Sequence, residues 1–262
     1  MHSGTESILL LDVAAGVATI TLNRPQARNA LSMVLMTAIE AALAQVAADP
    51  AVKVVVLAAN GPAFCAGHDL KEMQSLQGRE QVAAVFAQCS RMMTAIVRLP
   101  KPVIALVHAM ATAAGCQMVA SCDLAYAADT AQFATPGVNI GLFCSTPMVA
   151  LSRAVGRKQA MEMLLTGKPA SAAQAEAWGL VNRAVPAAEL DALVAATAAT
   201  IAAKSPYTLK VGKEAFYRQA EMGLDDAYAH ASEVMTTNML AADAAEGIDA
   251  FLAKRHPVWR GC

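Results

Sequence analysis

Charge is scarce in these 262 residues, and neither sign dominates. Charged side chains make up 16%, with twenty Lys+Arg against twenty-one Asp+Glu and a formal charge of −1. Without a basic field there is no electrostatic footprint for nucleic acid. Metal-ligand spacing is absent as well. The six cysteines stand at 65, 89, 116, 122, 144 and 262, with no C-x2-C pair and no Cys/His ligand pattern, so no metal site is expected. Scattered cysteines of this kind fit a compartment that keeps thiols reduced. The stretch from Met1 to Leu11 has no basic n-region and does not read as a signal peptide. Together these two readings give a cytoplasmic location as the expectation. A long uninterrupted apolar run is also missing. The nearest, Val103 to Ala120, follows Pro100 and Pro102 and is broken by His108, Thr112, Gly115 and Gln117. It reads as a buried strand running into a buried helix, so no membrane insertion is expected.

What is abundant is apolar side chain, 56% of the chain. That is too apolar for disorder and enough for a sizeable core plus a buried oligomer contact. The length allows one large domain or two small ones. Ile8–Asp12 and Val17–Leu22 read as a hairpin around Ala14-Ala15-Gly16. Ser32 can cap a helix over 33–48 whose apolar positions Leu35, Ile39, Leu43 and Val46 recur at helical spacing, with Asp49-Pro50 as the stop. Strands follow at 52–58 and 103–107, with shorter ones at 124–127, 132–134 and 181–184. Helices are expected over 80–97 and 113–121. A loop is expected from Gly61 through Asp69. Beyond about residue 145 helices dominate, with segments at 146–155, 158–165, 171–176, 187–203, 206–221, 224–240 and 243–253. Alternating strands and helices followed by helices alone predict an α/β core with an appended helical C-terminus.

Three segments carry candidate chemistry. In Phe64-Cys65-Ala66-Gly67-His68-Asp69-Leu70-Lys71-Glu72-Met73, a small residue and a glycine precede a polar turn, which lets backbone approach a ligand closely. The plainer reading is a helix start capped by Asp69. In Ala111-Thr112-Ala113-Ala114-Gly115-Cys116-Gln117, small residues open a helix just after a strand. Free N–H groups there suit a developing negative charge, although tight helix–sheet packing asks for the same residues. The third segment, Phe133 to Pro147, is unusually apolar for a surface loop and would make sense lining a pocket.

Taken in order, these segments resemble the enoyl-CoA hydratase/isomerase (crotonase) superfamily over nearly the whole chain. The resemblance rests on Asn23-Arg24-Pro25, Asn29-Ala30-Leu31, Ala66-Gly67-His68-Asp69-Leu70, Ala114-Gly115-Cys116, Trp178-Gly179-Leu180-Val181 and Phe251-Leu252-Ala253-Lys254-Arg255. Phe133 to Arg153 is more narrowly similar to one branch, the enoyl-CoA hydratase domain-containing proteins. The resemblance implies a crotonase-like (ClpP/crotonase) spiral of ββα units over 1–195 holding an acyl-CoA pocket. It also implies a helical trimerisation region over 196–262, with homotrimers or dimers of trimers as the assembly.

The same resemblance implies a mechanism. The backbone N–H groups of His68 and Ala114 would hold the thioester carbonyl oxygen while chemistry at Cα or Cβ pushes charge onto it. One such donor is typically worth about 3–4 kcal/mol of barrier. Backbone donors tolerate side-chain change, so the imidazole at 68 is not expected to take part. Two family glutamates fall at Gln117 and Gly137, neither of which exchanges a proton as a carboxylate does. Cys144 stands where a related dehalogenase carries a nucleophilic Asp, although a buried, inert thiol is the plainer reading. Asn139, Ser145 and Thr135 are alternative polar groups for the pocket, and Asp123 reads as a structural anchor. For the coenzyme, Arg28 would meet a phosphate and Ala66 and Leu70 would border the adenine and pantetheine. Asp69, Lys71 and Gly115 complete the binding set. Phe251 and Lys254 would reach the adenine end from a neighbouring subunit. No cofactor is implied beyond the thioester itself. Three readings stay open: an acyl-CoA enzyme with other acid–base groups, an ordinary hydratase, which the missing glutamates oppose, and a non-catalytic acyl-CoA binder.

Overall fold

A computed structural model describes residues 7–262 of the chain. It opens with a hairpin of β1 (Leu9–Ala14) and β2 (Val17–Leu22), followed by α1 (Met33–Ala48). Ser32 caps α1 by accepting from the N–H of Leu35 at 3.3 Å. The helix buries Leu35, Met36, Ile39, Ala42, Leu43 and Val46, the stripe that the sequence periodicity predicts.

A repeating pattern then sets in, with a long strand, a short strand and helix. It runs β3 (Val54–Ala59), β4 (Ala63–Cys65), α2 (Leu70–Ser75) and α3 (Gly78–Arg98) in the first round. The second is β5 (Val103–Val107), β6 (Met110–Thr112) and α4 (Ala114–Ser121). The third is β7 (Leu124–Ala128), β8 (Gln132–Ala134), a 3-10 turn at Pro136–Ile140, α5 (Pro147–Ala154) and α6 (Arg157–Thr166). The last brings β9 (Ala170–Ser171), α7 (Ala172–Trp178), β10 (Arg183–Val185) and α8 (Ala187–Ala202). The longer strands and the three-residue β10 join one sheet in the order β1-β2-β3-β5-β7-β10, parallel except at β1. Short ones join a second sheet, β4-β6-β8-β9. Each ββα unit therefore feeds both sheets, which is the spiral the resemblance implies.

Both faces of the large sheet are covered, which explains its unbroken apolar strands. Val55 and Leu57 face the main core with α1, α3 and α4. Their neighbours Val54 and Val56 face the opposite way, against Leu190, Val194, Ala198 and Ala202 of α8. The expected division at 195 falls inside α8, whose buried face stays on the sheet to Ala202. The helical tail is α9 (Pro206–Gln219), α10 (Leu224–Met239) and α11 (Ala242–Leu252).

The second sheet is where the structure departs from the sequence expectation. The segment 61–69 is not all loop, because Ala63–Cys65 is β4, paired with β6. Neither β6 nor β9 was expected. Strands of two or three residues are too short for a hydrophobic period to register. The tail is tied down by Asp123, whose carboxylate takes Lys213 Nζ at 2.7 Å, the Tyr217 hydroxyl at 2.9 Å and the Val103 N–H at 2.7 Å. Asp123 thus anchors α9 to the start of β5 and β7, the structural role its position suggests.

Candidate active site

The first two chemical segments meet where α4 abuts the strand β4. Gly115 allows this approach, since a Cβ there would lie 2.2 Å from the carbonyl oxygen of Cys65. Gly67 allows the next one. Its φ is +87°, and a Cβ would stand 2.9 Å from that of Ala113 and 3.3 Å from the nitrogen of Ala114. The loops around 67 and 113 are therefore in direct contact.

Two main-chain donors are left over at this contact. Leu31 bridges the chain at His68 by donating to Gly67 O at 2.7 Å and accepting from Asp69 N–H at 3.1 Å. The N–H of His68, between them, points away from Leu31 and has no partner among the described residues. Ala114 is the first residue of α4, whose ladder begins with Gln117 donating to Ala113 O at 3.0 Å. Its N–H is one of the orphans every helix start leaves, yet Ala114 is fully buried. A buried N–H without an acceptor is costly and rare. The backbone that aims it is strained, since Ala113 holds φ 49° and ψ −117°, a conformation L residues seldom adopt.

The third segment lies alongside. Ala113 donates to Ala134 O at 2.8 Å, which sets Thr135 next to the same corner. Thr135 is fully buried and its hydroxyl has no partner among the described residues. Gln117 is also buried, and among the described residues its Oε1 accepts only from the Sγ of Cys89, at 4.0 Å. Gly137 packs so closely that a Cβ would lie 2.4 Å from Leu142 O and 2.9 Å from Cys144 Sγ. Burial pushes the Cys144 thiol up, outweighing the Gly137 N–H that lowers it, so the thiol stays protonated near neutrality. Asn139 and Ser145 are exposed.

Asp69 is committed elsewhere, in line with the plainer reading of its position. It caps α2 by accepting from the N–H groups of Lys71 and Glu72, and it pairs with Arg24 at 3.2 Å. Burial raises its pKa, but the Arg24 guanidinium and the two amides win and hold the carboxyl below its usual range. Glu72 accepts the N–H of Met33 at 2.9 Å. Arg28, Leu70 and Lys71 are exposed and Ala66 is half-buried, and Ala66 donates to Arg28 O at 3.0 Å, which holds the early loop beside this segment. Phe251 and Lys254 are exposed at the end of the helical tail, whose last helix packs on α9 and α10.

Sequence reasoning named three residues without seeing that they position the site. Asn29 is fully buried at φ 54°, donates to Asn60 O and Ala63 O, and thereby fixes the early loop to β4. Arg24 and Glu72 brace the same corner. Only an Asn tolerant of the left-handed region could have hinted at it. Beyond Gln117, a cavity of about 960 Å³ opens between α3, α4, α5 and α9, with Met93, Val97, Val149 and Leu180 among its walls.

Three comparisons bear on this geometry. The sequence model described as enoyl-CoA hydratase/isomerase matches residues 12–262. The enoyl-CoA hydratase domain-containing protein 3 of Homo sapiens, named as mitochondrial, is 48% identical over 93% of this chain and 80% of its own length. The crystal structure of that human protein superposes with a TM-score of 0.94 at 47% identity, covering 97% of this chain and 100% of the other. An enoyl-CoA hydratase from Mycobacterium smegmatis gives 0.95 at 54% identity, covering 97% and 99%. The expected cytoplasmic location is overturned, because the relatives from rat, mouse, human, Xenopus laevis and Danio rerio are all named as mitochondrial. Free thiols exclude only an oxidising compartment, so cysteine usage had no power to choose among reducing ones.

Proposed function

The chain belongs to the enoyl-CoA hydratase/isomerase family, and from that premise we propose that it grips the carbonyl oxygen of an acyl-CoA thioester with the N–H groups of His68 and Ala114. The observation that carries this reading is the pair of unpartnered main-chain donors where the 67–68 loop touches the start of α4. Fixed donors stabilise an enolate because they need no reorientation as charge develops. The strained backbone at Ala113 supports the same reading, since strain persists where the surroundings over-determine it and clusters at functional sites. In this reading the acyl chain runs past Gln117, the residue of this corner that lines the cavity between α3, α4, α5 and α9.

The chemistry is not ordinary hydration in this reading. Gln117 and Gly137 occupy the positions where the resemblance expects two glutamates, and each general acid–base group typically contributes about 10²–10⁴-fold. The second reading is a binder without turnover, which the same two residues favour. Arg28, Ala66, Leu70 and Lys71 take the coenzyme in both readings, with Arg28 on a phosphate. A homotrimer, or a dimer of trimers, would cover the exposed apolar side chains of the tail, among them Tyr228, Met235, Leu240 and Phe251, and would let Phe251 and Lys254 reach a neighbour's coenzyme.

Calorimetry with butyryl-CoA and crotonyl-CoA, alongside a crotonyl-CoA hydration assay, tests the proposal. Binding with hydration at least about 10²-fold below that of a glutamate-bearing family hydratase is the expected result. Absence of binding overturns the amide grip, and full hydration overturns the role given to Gln117 and Gly137.

A further inference from the structure

The imidazole of His68 is not used by the amide grip, although it belongs to one of the two residues that form it, and no group among the described residues satisfies its buried Nε2. The ring is held by an edge contact on Phe86 of α3, with centroids 5.4 Å apart. A buried nitrogen left unpaired costs on the order of 1–3 kcal/mol, so such a ring calls for a partner from outside the chain. Its location gives that partner's identity. The side chain springs from the residue whose own N–H would hold the thioester oxygen, so covalent geometry keeps it within a few bonds of that N–H. Phe86, on which it rests, is one helical turn from Cys89, which meets Gln117. The imidazole and the Gln117 amide therefore meet α3 one turn apart, at Phe86 and Cys89.

Resting on the acyl-CoA reading above, we infer that His68 is a catalytic residue: its imidazole moves the proton at Cα of a β,γ-unsaturated acyl thioester. The ring nitrogen takes the Cα proton, and the C–H electron pair flows through the carbonyl onto the oxygen held by the amides of His68 and Ala114. The imidazolium, which trades its proton with water in the interval, then protonates the dienolate at Cγ, and the double bond moves into conjugation with the thioester. Atoms and charge balance without any second reactant. Other titratable groups near the site are occupied or silent. Asp69 is paired with Arg24, Glu72 accepts from Met33, and the Cys144 thiol is pushed up by burial. Lys71 on α2 and Arg79 and Glu80 at the start of α3 are exposed, and farther along α3 Arg91 binds Gln88. Burial alone lowers the imidazole pKa, which leaves it neutral and basic near pH 7.

The test uses the full-length protein with 3-butenoyl-CoA in D2O, followed by NMR for deuterium at C2 and C4 and for the conjugated product. Thioester binding is measured alongside by calorimetry. The wild type is expected to exchange and isomerise, with a rate that rises through an ionisation below the ordinary imidazole value. His68→Gln and His68→Asn keep the backbone N–H and are expected to lose at least about 10²-fold while still binding the thioester. Added imidazole is expected to restore exchange in His68→Ala, which a purely structural role would not allow. Binding without exchange in the wild type, or undiminished exchange in His68→Gln, overturns the inference and leaves the amide grip standing. Failure of the wild type to bind overturns both.

Discussion

Positions 117 and 137 make an instructive pair, because at each the resemblance leads one to expect a carboxylate and each lacks it in a different way. Gln117 keeps the shape of a glutamate and gives up its charge, and its buried amide oxygen meets the Cys89 sulfur at a long 4.0 Å. Gly137 gives up the side chain altogether, and the space is filled by Leu142 O and Cys144 Sγ. One departure is a change of atom type in an intact pocket. The other is built into the path of the backbone.

The comparison breaks most visibly at 137. Gly137→Glu must displace a carbonyl oxygen that would stand 2.4 Å from its Cβ. A destabilisation of about 3 kcal/mol is expected from overpacking of this kind, read as a drop of roughly 6–12 °C in Tm for a chain this long. A variant that melts with the wild type would show that the loop from 137 to 144 gives way freely.

Gln117→Glu is the milder counterpart. A buried carboxylate has its pKa raised by desolvation, so the native state holds a proton that the unfolded chain has released. Stability is then full below the unfolded value of about 4.3 and is lost as pH rises through the folded value, with a deficit of about 1–2 kcal/mol expected by pH 8. Crotonyl-CoA hydration is expected to rise by about tenfold, limited by the partner still missing at 137. Denaturant titrations across that pH range and the hydration assay check both. A deficit that grows toward acid pH instead would mean that the introduced carboxylate finds a cation the structure does not bring near Gln117.

Much of this contrast is legible in the sequence, and part is not. The identities of Gln117 and Gly137 can be read directly, as can the long strands and the Ser32 cap, because each is local. The crowding at Gly137 is invisible there, since it depends on Leu142 and Cys144 turning back across a 3-10 turn. The small sheet is hidden for a related reason: β4 pairs with β6 and β6 in turn with β8, contacts between segments far apart in sequence. His68 is the sharpest case. Its amide can be placed from the motif, but the resting place of its ring on Phe86 is a tertiary contact that no spacing encodes.

Ala113 sharpens the comparison from the other side. At 137 a glycine is present because there is no room for a side chain, whereas at 113 a side chain is tolerated at φ 49° and ψ −117°, where glycine would be at ease. Ala113→Gly is expected to stabilise the fold by about 1 kcal/mol, the relief of strain less the extra chain entropy of glycine. Chemical denaturation reads the change. A loss of stability would mean that the Ala113 methyl, packed toward Gly67, contributes more than its strained backbone costs.

The smallest effect is expected at Cys144, and it decides what the crowding at 137 achieves. If Gly137 is there to admit a nucleophile, the thiol beside it must ionise. Burial pushes the thiol up and the single N–H of Gly137 does not compensate, so a packing role follows instead. Cys144→Ala is then expected to change 3-butenoyl-CoA exchange by less than about twofold and stability by about 1 kcal/mol at most, the scale of a small cavity. Iodoacetamide is expected to modify the exposed Cys262 well before the buried Cys144. Preferential labelling of Cys144, with loss of exchange, would instead make residue 137 the gate of a thiol site and reverse the argument drawn from its missing side chain.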